Sequence, residues 1–260
     1  MDDATLRLTA FVGTMAVMGV LQAMFPRRQL ALGYRRWPAN LGLVVCDSLL
    51  LRLLLPAGAV GVAVWAEQTG FGLVHWLGIS GGVAVILSLL LLDLLIYTQH
   101  VVFHAVPLLW RLHRVHHADQ EIDVSTGLRF HPLEILLSML IKMGAVALLG
   151  APAFAVLLFE MLLNGMAMFN HSNVRLPLGL DAALRRLVVT PDMHRVHHSV
   201  LSRETNSNYG FNLALWDRLF GTYTAQPEHG HDGMRIGLDA FQSGHPDGLK
   251  DLLLLPFGRN

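Results

Sequence analysis

His113-Arg114-Val115-His116-His117 occurs a second time almost letter for letter, as His194-Arg195-Val196-His197-His198. On a helix, residues at i, i+3 and i+4 share one face, so each copy brings three imidazoles together. His100 and His104, four residues apart and just upstream, share a face in the same way. Eight of the fourteen histidines therefore fall into three helical clusters. Because imidazole is a common neutral ligand for transition metals, the pattern predicts a polyhistidine metal site.

The composition indicates where this site lies. With 53% hydrophobic and 15% charged residues and a mean hydropathy of +0.47, the chain of 260 residues is too apolar for an ordinary soluble domain. It is predicted to be an all-α integral membrane protein. The formal net charge is zero, so nothing suggests a nucleic acid as partner. The single cysteine, Cys46, excludes an intrachain disulfide and a cysteine-ligated iron–sulfur cluster.

Apolar runs of bilayer-spanning length predict roughly four to five membrane helices. They cover residues 6–25, 41–66, 73–97, 133–149 and 152–169, and the last two are expected to form a helical hairpin. The second run is long enough to tilt or to hold a break at Pro56-Ala57-Gly58. Arginines in the linker 26–40, and Asp2 and Asp3 before the first run, place the N-terminus outside and the linker in the cytoplasm by the positive-inside rule. The histidine clusters then share the cytoplasmic face, under a helical cap formed by the polar C-terminal part.

Charged residues lie inside the predicted spans, and two pairs of them bear on the packing of the helices. Asp47 and Arg52 are expected to pair with other helices or to extend toward the membrane surface. Lys142 and Glu160 are either functional groups or an ion pair across the hairpin.

The end of the third run carries a stripe of polar side chains. Asp93, Tyr97, His100 and His104 are separated by four, three and four residues, which places them on one helix face that continues beyond the bilayer. Asp93 is either solvated or the acceptor of an imidazole N–H, which would select the ring tautomer that binds metal. Pro107 is expected to end this helix.

These motifs, together with Asn208-Tyr209-Gly210 and the stretch LWDRLFGTY at residues 215–223, resemble the fatty acid hydroxylase superfamily, also called the sterol desaturase family. The resemblance spans about residues 93–223, half of the chain. It implies a non-haem di-iron centre that uses dioxygen to hydroxylate or desaturate a C–H bond of a lipid or sterol. We accordingly divide the chain into N-terminal membrane helices (1–72), a catalytic domain (73–225) and a C-terminal cytoplasmic tail (226–260).

The resemblance also implies the ligands. They are His100, His104, His113, His116, His117, His171, His194, His197 and His198. Some family members have a histidine four residues before the one at 171, where this chain has Ala167. His131 is either the substitute ligand or a loop histidine that caps the hairpin. Eight or nine imidazoles exceed the four ligands of a structural zinc ion, so two metal ions are implied.

Other polar residues of the resembling region are candidates for catalytic roles. Asn208, Asp217 and Glu204 are expected to support the ligands or to face the substrate, beside Asp93 and Tyr97 on the stripe. The aromatic side chains of Trp216, Phe220 and Tyr223 are assigned to packing.

The chain carries no haem-binding electron-transfer domain and no G-x-G-x-x-G fingerprint. Electrons are therefore expected from a separate electron-transfer protein, or from a reducing cosubstrate such as a pterin, on the cytoplasmic face. The alternatives are a membrane metal-binding or metal-transport protein, whose ligands would lie along the membrane path, and a b-type cytochrome with histidines at bilayer depth.

Overall fold

The structure is a computed structural model that describes residues 3–242, 244 and 248–258. The α-helices within these residues are α1 (Asp3–Met24), α2 (Trp37–Leu54), α3 (Gly58–Thr69), α4 (Leu73–Trp76), α5 (Gly81–Ala105), α6 (Pro107–His117), α7 (Pro132–Leu149), α8 (Ala153–Asn170), α9 (Leu178–Leu184), α10 (Pro191–His197), α11 (Ser202–Thr205), α12 (Leu215–Leu219), α13 (Gly230–Gly233) and α14 (Leu249–Leu254). Short 3-10 helices occur at Gly33–Arg36, Thr126–Leu128, Asp239–Phe241 and Leu255–Phe257. Three isolated β-bridges are the only extended pairings in the described part, which confirms the all-α prediction. Asp2, used above to orient the chain, lies outside the described residues.

Five segments are long and apolar enough to cross a membrane, as predicted. They are Asp3–Met24, Gly33–Trp76, Gly81–Ala105, Pro132–Leu149 and Ala153–Asn170. Their outer surface is apolar, with Leu53 78% and Leu148 68% exposed. Contiguous apolar surface of this kind is unfavourable in water and matches a lipid environment.

Breaks in the helices follow proline and glycine. The second segment is interrupted after Leu54, because Pro56 lacks a backbone N–H, and α3 begins at Gly58. The predicted start of the third span at residue 73 is wrong. Gly78 and Gly81 adopt φ of 66° and 60°, so a short α4 is separated from α5. Pro107 ends α5 and occupies the first turn of α6, as predicted.

The hairpin of α7 and α8 is closed by a buried ion pair. Lys142 Nζ lies 2.7 Å from Glu160 Oε1, and Arg7 of α1 lies 2.7 Å from the other carboxylate oxygen. These contacts confirm the ion-pair alternative and join the first membrane helix to the hairpin. Arg52 is exposed near the end of α2, whereas Asp47 is buried and makes no ion pair with any described residue, so the expectation that it pairs was wrong.

The connection between α6 and α7 and the segment after α8 together cover one end of the bundle. Arg36, at the start of α2, binds Asp119 and Asp123 of this connection at 2.5 Å each. With the short helices α9 and α11 to α14, these two segments form the cap. The histidine-bearing helices α5, α6 and α10 meet beneath it.

Candidate metal centre

The nine histidines predicted as ligands come together in two groups. The five-histidine group consists of His100, His104, His113, His117 and His197. The four-histidine group consists of His116, His171, His194 and His198. Within each group one ring nitrogen of every residue lies within 4.8 Å of the others, so each group can hold a metal ion.

The two copies of the repeated motif each supply both groups. On α6, His113 and His117 belong to the five-histidine group, while His116 belongs to the other. On α10 and its C-cap the division is reversed, because only His197 belongs to the five-histidine group. Adjacent residues on a helix point about 100° apart, so a neighbouring histidine pair reaches two positions at once.

His171 occupies the centre of the four-histidine group. It follows the last residue of α8, and its Nε2 lies 3.0 Å from His116 Nε2 and 2.9 Å from His194 Nε2. Its Nδ1 donates to the carbonyl of Ala167 at 2.7 Å. Position 167 offers only the methyl group of alanine and no imidazole. The histidine group around His171 therefore contains four imidazoles, and the other contains five.

Burial keeps the imidazoles neutral. Removal from water, reinforced by neighbouring rings, holds the pKa well below 6.5 for the following residues outside the spans: His116, His117, His194, His197 and His198. Burial lowers the pKa of His171 to about 3. Neutral rings keep the lone pairs that bind metal.

Several of these buried ring nitrogens have no hydrogen-bond partner in the described structure. They are His104 Nε2, both nitrogens of His117 and His198, His194 Nδ1 and His197 Nε2. A buried polar atom without a partner is costly, so native structures rarely contain such a cluster. The residues therefore fit two metal ions, each of which would bind one ring nitrogen of the histidines in its group.

Backbone carbonyls orient several of the rings. His100 Nδ1 donates to Tyr209 O and His197 Nδ1 to Ser207 O, both at 2.8 Å, and His116 Nδ1 to Arg129 O at 3.3 Å. A proton held on Nδ1 leaves the Nε2 lone pair for a metal. The cap and the α6–α7 connection thus select the tautomer.

One ring is oriented by a carboxylate that the sequence analysis missed. His113 Nδ1 lies 2.7 Å from Glu134 Oε1, and both residues are buried. Glu134 is in the first turn of α7, within an apolar run and three residues after His131. An isolated acid at the start of a membrane helix is the signal that would have found it.

Asp93, which was predicted as a possible imidazole acceptor, does not take that role. Its Oδ2 accepts from Trp216 Nε1 at 2.8 Å and from the Leu213 backbone N–H at 3.2 Å. The cap packs against α5 at the level of Asp93. The carboxylate therefore bonds to the indole of Trp216 and not to an imidazole. The assignment of Trp216 to packing alone was therefore also wrong.

Tyr97 also contacts the cap. Its hydroxyl lies 2.9 Å from Thr222 Oγ1, and its ring stacks on Phe220 with centroids 5.4 Å apart. Its contacts fasten α5 to the cap, and Phe220 has the packing role that was predicted.

Asp217 and Asn208 shape the loop that orients His100. Asp217 accepts from the backbone N–H groups of Tyr209 and Gly210, both at 2.8 Å, and burial raises its pKa to about 6. Asn208 adopts a left-handed φ of 51° and exchanges side-chain hydrogen bonds with the backbone of Thr224. These bonds hold the Tyr209 carbonyl against the His100 ring.

Asp217→Asn is expected to destabilise the chain by about 1–3 kcal/mol, because an amide nitrogen replaces one oxygen and leaves a buried backbone N–H unpaired. Thermal unfolding of the detergent-solubilised protein measures the change. Asp232→Asn is the control, since Asp232 is exposed and binds Arg27 at the surface. Equal losses in the two variants would contradict the structural role of Asp217.

His131 and Glu204 lie outside both histidine groups. His131 caps α7, where its Nδ1 accepts from the Leu133 N–H at 3.2 Å, so the capping alternative is confirmed. Glu204 is buried in the cap, where its Oε1 accepts from the Glu228 N–H at 2.6 Å.

Comparison with known proteins shows which proteins the chain is similar to. The family model described as fatty acid hydroxylase matches residues 85–222. Ornithine lipid hydroxylase OlsE of Rhizobium tropici is 34% identical over 143 residues, covering 55% of this chain and 42% of that protein. Alkylglycerol monooxygenase of Homo sapiens is 30% identical over 147 residues, covering 56% of this chain and 32% of that protein. Cholesterol 25-hydroxylase of Rattus norvegicus is 27% identical over 145 residues, or 55% of this chain and 47% of that protein.

This chain spans less than half the length of each of these relatives. No solved structure matches it with significance. The match to the family model covers more than half of the 260 residues and includes all nine histidines of the two groups. The chain therefore belongs to the fatty acid hydroxylase family.

Proposed function

We propose that this chain is a membrane-bound non-haem di-iron oxygenase that uses dioxygen to hydroxylate, or to desaturate, a C–H bond of a lipid. The observation that carries the proposal is the pair of adjacent groups of buried imidazoles. The five-histidine group exceeds the four ligands that close a structural zinc site, and a structural zinc site needs no second group of ligands beside it. Two ions in an all-imidazole environment suit redox chemistry.

Bound iron would supply the electrons and the coordination positions that activate dioxygen. The protein residues orient the rings through Nδ1, keep the rings neutral and exclude bulk water from the centre. Because the imidazole shell carries no charge, the positive charge of bound ions would be offset only by the few carboxylates nearby. The exclusion of water favours attack on the C–H bond over side reactions.

A lipid substrate is supported by two observations. The curated relatives are named for an ornithine lipid, an alkylglycerol and cholesterol. The helices that carry the first histidines also have apolar outer faces, so a substrate dissolved in the bilayer reaches the bundle without entering water. Hydroxylation and desaturation share the first C–H abstraction and differ in how the substrate is placed.

We place the centre on the cytoplasmic face, where a separate electron-transfer protein or a reducing cosubstrate would reach it. The arginine-rich linker after α1 lies at the same end of the bundle as the histidines. Arg27 of this linker binds Asp192 of α10 at 3.1 Å, and its backbone N–H donates to Asn173 O at 2.8 Å. Basic residues next to membrane helices favour the cytoplasm. We assign catalysis to residues 73–225, with further membrane helices in 1–72 and a tail in 226–260.

The test combines metal analysis with turnover. We expect the purified chain, loaded anaerobically with ferrous iron, to bind two irons without haem absorbance. With dioxygen and an added reductant it should give a lipid product heavier by one oxygen or lighter by two hydrogens. Zinc alone with no dioxygen uptake, or no lipid turnover with any added electron donor, would contradict the proposal.

A further inference from the structure

Glu134 distinguishes the two histidine groups. Among the described hydrogen bonds to ring nitrogens of the nine histidines, the one to Glu134 is the only one accepted by a carboxylate. The other acceptors are neutral, either backbone carbonyls or the ring nitrogen of a second imidazole. His113 belongs to the five-histidine group, so Glu134 bonds directly to a ring of that group. Asp119 acts on His171 of the four-histidine group, but its charge is paired with Arg36.

The burial of Glu134 makes this charge significant. The residue is 4% exposed, and its second oxygen has no hydrogen-bond partner in the described structure. No lysine or arginine among the described residues forms an ion pair with it, and the nearby buried Asp47 of α2 is a second acid. A buried carboxylate without a cation is strongly unfavourable. A metal ion bound by His113 would provide the missing positive charge.

A carboxylate acceptor also changes the ligand itself. An imidazole whose Nδ1–H is held by an anion is a stronger electron donor at Nε2 than one held by a carbonyl. The five-histidine group therefore has one ligand more than the other group. It also contains His113, which is more basic than a ring that donates to a carbonyl. Both differences favour the higher oxidation state of an ion bound there.

We propose that Glu134 is a positioning residue that makes the five-histidine position the more easily oxidised of two iron positions. The inference rests on the proposed di-iron centre. Glu134 acts through His113, first by fixing the orientation of the ring and second by its charge.

Two substitutions separate these effects. Glu134→Gln keeps an oxygen that accepts from Nδ1 but removes the charge, whereas Glu134→Ala removes both. We expect Glu134→Gln to retain two irons and to raise the midpoint potential of one of them, measured by spectroelectrochemical titration of the detergent-solubilised holoenzyme. Glu134→Ala should in addition bind one iron about 10–100-fold more weakly in chelator competition, as is typical when the partner of a ligating histidine is lost.

Asp93→Asn is the matched control. Asp93 is similarly buried at 3%, but it bonds to Trp216 and a backbone N–H, so its loss should leave both potentials unchanged. Glu134→Asp retains the charge and is expected to give a potential closer to wild type than Glu134→Gln does.

The outcomes distinguish the two proposals. A wild-type chain that does not bind two irons would contradict the di-iron function itself. A wild-type chain with two irons of equal potential would overturn the role of Glu134 without any variant. Two irons of unequal potential that are both unaffected by Glu134→Gln would overturn it as well.

Discussion

His116→Ala is expected to lose the iron of the four-histidine group, and His197→Ala the iron of the five-histidine group, with lipid turnover below detection in both. Each substitution removes one ligand from one group, because these histidines belong to different groups. Loss of a direct ligand should weaken iron binding by more than the roughly 10–100-fold that follows loss of an outer partner. Iron per chain, measured after gel filtration, should fall from two toward one.

Substitution of other histidines makes this experiment more specific. His117→Ala should behave like His197→Ala and unlike His116→Ala, although positions 116 and 117 are adjacent. His131→Ala is the control, since its side chain caps α7 outside both groups, and it should retain two irons. Two tightly bound irons in both His116→Ala and His197→Ala would refute the ligand assignment.

Arg36→Ala is expected to destabilise the protein by about 3–5 kcal/mol, the usual cost of removing one partner from a buried ion pair. Arg36 is 1% exposed, and its two terminal nitrogens bind Asp119 and Asp123 at 2.5 Å. Without the guanidinium, two buried carboxylates of the α6–α7 connection lose their cation. The same connection carries the Arg129 carbonyl that orients His116, so iron binding should weaken as well.

Chemical unfolding in detergent micelles measures this effect. Arg52→Ala is the control, because Arg52 is exposed on α2, and it should change stability by no more than about 0.5 kcal/mol. Arg36→Lys should recover only part of the loss, since an ammonium group does not bridge two carboxylates as the planar guanidinium does. An Arg36→Ala variant as stable as wild type would show that the ion pairs of Arg36 with Asp119 and Asp123 contribute nothing to stability.

The membrane helices and the three helical histidine clusters were predictable from local pattern. Apolar runs of spanning length predict the segments, and Pro56 and Pro107 predict where helices end, because these properties depend on the chain alone. The separation of α4 from α5 was missed, since it depends on the positive φ of Gly78 and Gly81 inside a run that is apolar throughout. Hydropathy alone does not predict a turn inside an apolar run.

The amino-acid sequence by itself determined which histidines can act together, because i, i+3 and i+4 spacing sets the face of a helix on which a ring lies. Only the tertiary structure decided how the repeated motif divides, with His116 and His117 in different groups. It also decided that Glu134, and not Asp93, accepts from an imidazole. The physical reason is that spacing along one helix does not specify what packs against it. The partner of each ring is set by the angle and depth at which α7 and the cap meet α5 and α6.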